Sequence, residues 1–222
     1  MKVDAVFEGG GVRGIAIAGA VSWLEKQGYT WERLAGTSAG SIVAALLAAG
    51  YTGLEIEEIL TRLDYRQFQD KTRLQSIPYV GAPLGLILQK AIHEGQFLET
   101  WIADLLHRKG VDTFADLTDE AGFRLKIIAS DITGRRLLVL PDDLVHYGLE
   151  PERFSVAKAV RMSSSIPFYF KPVQLQYQGK RTFIVDGGIL SNFPVWLFDT
   201  QGAPRWPTFG FQLVSPEQSR TA

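Results

Sequence analysis

Gly36-Thr37-Ser38-Ala39-Gly40 has the G-x-S-x-G spacing of a nucleophile elbow. In such an elbow the serine sits on a sharp strand-to-helix turn with its hydroxyl projecting. Flanking glycines let that turn close without Cβ clashes. The N-terminus of the following helix favours negative charge that develops beside it. The same stretch also fits a plain serine N-cap in a glycine-rich turn, so the pattern acquires chemical meaning only with partners.

Gly9-Gly10-Gly11-Val12-Arg13-Gly14 follows an apolar run and opens a helical one. It fits G-x-G-x-x-G, but a dinucleotide site also needs an acidic residue at the end of the second strand to hold the ribose. That strand ends Leu34-Ala35-Gly36-Thr37-Ser38 without a carboxylate, and Glu32 comes too early. The loop lacks the Gly-Lys-Ser/Thr ending of a Walker loop. The better reading is an oxyanion hole, because consecutive glycines can turn several backbone N–H groups toward one point. If the first and second strands are parallel neighbours, both loops emerge at the same carboxyl edge and the glycine amides face Ser38.

A Ser–His–acid hydrolase of the α/β type runs serine, acid, histidine along the chain. The histidines here are His93, His107 and His146, and all precede the late acid candidate Asp186. His107 ends a helix and His146 lies in Asp-Asp-Leu-Val-His-Tyr-Gly, both surface or cap settings. Asp186 stands at the end of a strand-like run, residues 182–185, and before Gly187-Gly188. A strand end is where site residues collect, although Asp-Gly-Gly also makes an ordinary turn. A carboxylate with the usual pKa of about 3.9 is a feeble general base. Such a mechanism leans on burial, on positioning and on the oxyanion hole.

The elements that must carry these residues follow from periodicity and breakers. Residues 3–7 read as a buried strand, and 14–26 as a helix with Ile15, Ala18, Val21 and Trp23 on its apolar face. Residues 32–35 read as a brief strand, and 38–49 as a helix apolar all round, hence buried. Helices are expected at 54–63, 97–107 and 156–162, and strands at 124–129, 136–140 and 209–214. Residues 173–177 and 182–185 form a hairpin around Gly179. Strand alternating with helix argues for a parallel sheet with crossover helices. No repeat, low-complexity tract or linker divides the chain, so residues 1–222 read as one domain. Residues 64–94 are dense in apolar side chains such as Leu84 and Leu86, broken by Pro78, Gly81, Pro83 and Gly85. They read equally as an acyl entrance or as core.

The chain has 222 residues, 46% hydrophobic and 21% charged, an ordinary globular balance. A net charge of −1 gives no pull toward nucleic acid. The absence of cysteine excludes disulfides, thiolate metal sites and a cysteine nucleophile. Residues 1–7 lack the pattern of a secretory leader, and the longest apolar run, 42–49, is too short to span a bilayer. A soluble, cytoplasmic protein is expected, with any membrane contact transient and peripheral.

These stretches, in this order, resemble the patatin-like phospholipases. Phe7-Glu8-Gly9-Gly10-Gly11-Val12-Arg13-Gly14 is similar to that family's first block, and Gly36-Thr37-Ser38-Ala39-Gly40 to its elbow. Ser163-Ser164-Ser165-Ile166-Pro167-Phe168 is similar to its serine-rich block before a proline. Asp186-Gly187-Gly188-Ile189-Leu190-Ser191-Asn192-Phe193-Pro194 is similar to its last block. The resemblance implies a three-layer α/β/α fold with a mostly parallel central sheet. It implies a Ser38–Asp186 dyad that cleaves acyl esters of glycerolipids, phospholipids among them, without metal or other cofactor. It further implies that the Gly10 and Gly11 amides bind the oxyanion and that Arg13 supports the loop or a phosphate group. Gly9, Gly14, Gly36, Gly40, Gly187 and Gly188 shape the supporting turns. An acyltransferase would use the same acyl-enzyme. A lipid-binding module that had lost catalysis would lack a member of the dyad, and both are present here.

Overall fold

The computed structural model describes residues 1–10, 14–63 and 95–214. The sequence assignments for Gly11, Arg13 and His93, and for the entrance segment 64–94, lie outside the described residues. In chain order the elements are β1 (Lys2–Phe7), α1 (Gly14–Lys26), β2 (Thr30–Thr37), α2 (Ala39–Ala48), α3 (Gly53–Arg62) and α4 (Gln96–Arg108). There follow β3 (Thr118–Asp119), β4 (Gly122–Phe123), β5 (Leu125–Asp131), β6 (Arg136–Leu140) and α5 (Val156–Ser163). The chain then forms β7 (Val173–Tyr177), β8 (Lys180–Asp186) and β9 (Thr208–Phe211).

The main sheet has the order β7-β8-β5-β2-β1-β9, with β6 also on β5. β9, β1, β2 and β5 are mutually parallel, while β6, β7 and β8 are antiparallel to their neighbours. The result is the expected three-layer α/β arrangement, parallel at its centre, with an antiparallel flank. β7 and β8 close through Gln178 and Gly179, both at positive φ, the geometry that matches strand twist in a tight hairpin. α2 lies against β1 and β2 with nearly every side chain buried, as its uniform apolarity requires.

Several boundaries differ from the periodicity reading. β2 is longer than 32–35 because β1 and β5 pair with it from both sides. β9 ends at Phe211 rather than 214, since its partner β1 ends at Phe7, opposite Phe211. On α1, Ile17, Ala18, Val21 and Ser22 are buried, whereas Trp23 is 61% exposed. Trp23 is five positions beyond Ala18, about 140° around the helix, so it leaves the buried stripe that Ala18 and Val21 share.

The register on β5 brings distant segments together. β6 occupies one edge of β5 along Ile127–Asp131. On the other edge β2 pairs as far as Thr37 with Ile128, and β8 pairs from Ile184 with Asp131 to Asp186 with Ala129. β2 and β8 therefore meet end to end on neighbouring residues of one strand. Asp186 takes the position opposite Ala129 that Ser38 would fill if β2 continued.

Candidate active site

Ser38 leaves β2 and occupies the N-cap position of α2 with φ 53° and ψ −124°. A residue with a Cβ in such a region costs on the order of 1–3 kcal/mol unless its surroundings hold it there. A serine acting simply as a cap would turn its hydroxyl to the helix amides, and Ser38 makes no such bond. Its Oγ donates instead to Asp186 Oδ2 at 2.6 Å. The turn is pinned by Ser41, whose hydroxyl and amide both donate to the Ser38 carbonyl, at 2.6 and 2.9 Å. Thr37 Oγ1 donates to the Ser191 carbonyl at 3.1 Å.

Asp186 is only 7% exposed. Its second oxygen, Oδ1, accepts from the Gly188 amide at 2.7 Å, and its own amide donates to the Ser165 carbonyl at 3.0 Å. Burial pushes the carboxyl pKa above the usual carboxylate range. The hydrogen bonds from Ser38 and Gly188 pull the other way without cancelling the rise. A carboxylate so placed is a better proton acceptor than a solvated one.

The glycines around this pair are required mainly by close approach. A Cβ on Gly36 would stand 2.3 Å from the Gly40 carbonyl oxygen, and one on Gly40 would stand 2.3 Å from that of Phe7. A Cβ on Gly187 would lie 2.3 Å from the Ile128 carbonyl oxygen, and one on Gly188 2.9 Å from Asn192 Oδ1. At Gly14, the first residue of α1, a Cβ would meet Leu60 at an ordinary 3.7 Å, so crowding does not demand glycine there.

Asn192 ties the loop after β1 to the loop after β8. Its carbonyl accepts from the Gly9 amide at 3.0 Å, and its Nδ2 donates to the Gly9 carbonyl at 3.0 Å and to Glu8 Oε1 at 3.1 Å. Glu8 Oε2 accepts from the Leu213 amide at 2.9 Å. The Gly9 amide is thus engaged, while Gly10 lines the open pocket. That pocket, about 320 Å³, has Gly9, Gly10, Ser38 and Asp186 on its polar side and Ile166, Pro167 and Ile189 on its apolar side. In the sequence Asn192, Glu8 and Ser163 stand out only as parts of motif blocks. Their contacts span too much sequence for local pattern to reveal them.

The described histidines are elsewhere. His107 is exposed at the end of α4 beside Asp112, at 3.0 Å, and His146 lies 3.6 Å from Asp143 on the surface. Neither lines the pocket. Among the described residues, no group of three or more His, Asp or Glu side chains is placed to hold a metal ion. Among them, too, no helix is long and apolar enough to cross a membrane.

A serine at a strand-turn-helix junction, a buried carboxylate beside it and a glycine loop thus meet at one sheet edge. The family model described as patatin-like phospholipase matches residues 5–199, and the chain belongs to that family. Over 221 residues it is 44% identical to the uncharacterized protein YqhO of Bacillus subtilis, covering 99% of this chain and 74% of that protein. A probable lipid hydrolase, 463L, of Invertebrate iridescent virus 6 is 27% identical over 190 residues, covering 86% of this chain and 61% of that protein. Among solved structures, VipD from Legionella pneumophila superposes with a TM-score of 0.55 at 19% identity, covering 99% of this chain and 52% of that one. ExoU in the ExoU–SpcU complex of Pseudomonas aeruginosa gives 0.51 at 21% identity, covering 98% of this chain and 45% of that one. At these identities the structural likeness concerns the fold. The chain spans about half the length of those solved chains and about three fifths of the viral relative.

Proposed function

We propose that residues 1–222 form one patatin-like domain that hydrolyses acyl esters of glycerolipids, phospholipids among them, through a Ser38–Asp186 dyad. The observation that carries this reading is the 2.6 Å hydrogen bond from the Ser38 hydroxyl to the buried Asp186 carboxylate at the wall of an open pocket. Ser38 Oγ attacks the acyl carbonyl carbon while Asp186 takes its proton. The carbonyl oxygen becomes an oxyanion held by the Gly10 amide. Gly11, with Arg13 in support, is assigned to the same loop by family resemblance. Collapse of the intermediate expels the alcohol, which receives the proton from Asp186, and leaves acyl-Ser38. Water then attacks, again giving its proton to Asp186, and the fatty acid leaves as Ser38 regains its hydrogen.

The test is an esterase assay on a short-chain nitrophenyl ester, followed by a panel of phospholipids and neutral glycerides. Ser38→Ala should lose on the order of 10⁶-fold in kcat, the scale seen when a serine nucleophile is removed. Turnover by Ser38→Ala at the wild-type rate would refute the reading, and absence of turnover by wild type on every ester tried would leave lipid binding without catalysis as the function. Adding a lysolipid acceptor separates hydrolysis from transfer, since hydrolysis yields free fatty acid alone.

Transient membrane contact belongs to the same proposal. Ile166, Phe168, Ile189 and Leu190, at or next to the pocket mouth, are 43%, 53%, 50% and 52% exposed. Phe168 presents its ring outward from a backbone at φ 68°, a strained setting for an aromatic residue. Residues 187–198 contain no charged side chain, so this contact needs no anionic lipid and a zwitterionic bilayer suffices to test it. In co-sedimentation with phosphatidylcholine vesicles, Leu190→Asp should bind at least about threefold more weakly, since burying the exposed half of a leucine side chain is worth ~0.8–1.5 kcal/mol. Wild-type binding should change little between low and high salt. Unchanged binding by Leu190→Asp would refute the contact.

A further inference from the structure

The parallel ladder between β2 and β5 has a rung missing where the nucleophile begins, and a side chain sits in its place. The Leu34 amide donates to the Arg124 carbonyl at 2.8 Å. Leu34 pairs with Leu125 and the register runs without a slip to Thr37 and Ile128. In a parallel ladder such rungs recur every second residue along the strand, so the continuing rung would join the Ser38 amide to the Ile128 carbonyl. The Ser38 amide donates instead to Ser163 Oγ at 2.9 Å, and Ser163 Oγ lies 2.6 Å from the Ile128 carbonyl oxygen. An amide only donates and a carbonyl only accepts. The Ser163 hydroxyl must therefore accept from Ser38 and donate to Ile128. It is fully buried at the C-terminal end of α5.

We infer that Ser163 is a positioning residue for the nucleophile. Its hydroxyl is inserted into the ladder as a spacer that lifts Ser38 off β5 by one hydrogen bond. The lift has a local consequence. Asp186 occupies the position opposite Ala129 that Ser38 would take in a continued strand. The spacer keeps Ser38 clear of that position, holds it at positive φ, and points its Oγ at the carboxylate. With the spacer removed, the Ser38 amide and the Ile128 carbonyl would each be left buried without a partner, which is unfavourable for both. They can regain a partner by closing on each other, which draws Ser38 back toward strand geometry and swings its hydroxyl away from Asp186. The inference rests on Ser38 as the reacting hydroxyl for its kinetic consequence and on hydrogen bonding alone for its geometric one.

The experiment has both arms. In a crystal structure of Ser163→Ala, the Ser38 amide should contact the Ile128 carbonyl directly and the Ser38 Oγ to Asp186 contact should open. An unchanged Ser38–Asp186 contact overturns the inference whether or not Ser38 reacts. In solution, folded Ser163→Ala should react with a fluorophosphonate at Ser38 at least about tenfold more slowly, with kcat down by a similar factor and KM within about twofold, because small misplacements of a reacting group act on the rate. A labelling rate equal to wild type overturns it. If Ser163→Ala does not fold, Ser163→Cys fills the site with a somewhat larger side chain and replaces the hydroxyl with a weak thiol donor and acceptor. It should label several-fold more slowly than wild type, and an unchanged rate again overturns the inference. If wild type itself fails to label at Ser38, the hydrolase reading falls and the crystallographic arm still decides the role of Ser163.

Discussion

Asp186→Asn should lower kcat by about 10²–10⁴-fold, the range that a positioned general base supplies, with little change in KM. The amide keeps the shape of the side chain and its contact with the Gly188 amide, but it cannot take the proton of Ser38. In the wild type, kcat/KM should rise with pH through an acid limb displaced upward from the ordinary carboxylate range, because burial raises the Asp186 pKa. Stability should move the other way. Between the unfolded pKa and the raised folded one, the native protein binds more protons than the unfolded chain, so Asp186 makes stability fall as pH rises through that window. At neutral pH the full penalty of the buried charge is present, and Asp186→Asn removes it. The variant should therefore melt above wild type at neutral pH, and the difference should shrink below the ordinary carboxylate range. Paired pH–rate and thermal-denaturation series check both signs. An inactive variant that melts lower at every pH would contradict the buried-charge account.

Gly40→Ala should be among the most damaging single-methyl changes in the chain. The new Cβ would stand 2.3 Å from the Phe7 carbonyl oxygen and 2.6 Å from that of Glu8. These are backbone atoms of β1 and the loop after it, so no rotamer change relieves the clash. α2 would have to move off the sheet and carry the elbow with it. Overpacking of this kind costs about 3 kcal/mol or more where the backbone must shift, read by urea denaturation, and activity should fall with the displacement of Ser38. Gly19→Ala provides the contrast. A Cβ there meets nothing within 4 Å, and the position is inside α1. Alanine should stabilise by about 0.5–1 kcal/mol through helix propensity. Equal effects at the two positions would contradict the packing argument.

The parts of the fold legible in the sequence are those with strong local signals. The run before Gly9 is a strand, the uniformly apolar helix after Ser38 is buried, and Gly179 marks a hairpin. The elbow and Asp186 were visible for the same reason, since glycines that permit close approach stand next to the residues they serve. The end-to-end meeting of β2 and β8 was not legible. It depends on pairings of both strands with β5, between residues tens of positions apart, and no local periodicity encodes register. The role of Ser163 is hidden from the sequence on the same grounds, because its partners are Ser38 and Ile128 rather than its chain neighbours. Trp23 misled because its hydrophobicity suggested the core, although its angular position on α1 turns it to solvent.

Labelling by a fluorophosphonate probe, with the modified residue located by peptide mass spectrometry, tests the central claim most directly. Wild type should carry the adduct on Ser38, and Ser38→Ala should carry none. Replacing His93, His107 and His146 together by Gln should leave the labelling rate within a fewfold of wild type, because neither described histidine lines the pocket. Asp186→Asn should label far more slowly. The account would be contradicted by an adduct on Ser38→Ala equal to that on wild type, or by a folded single-histidine variant as slow as Asp186→Asn.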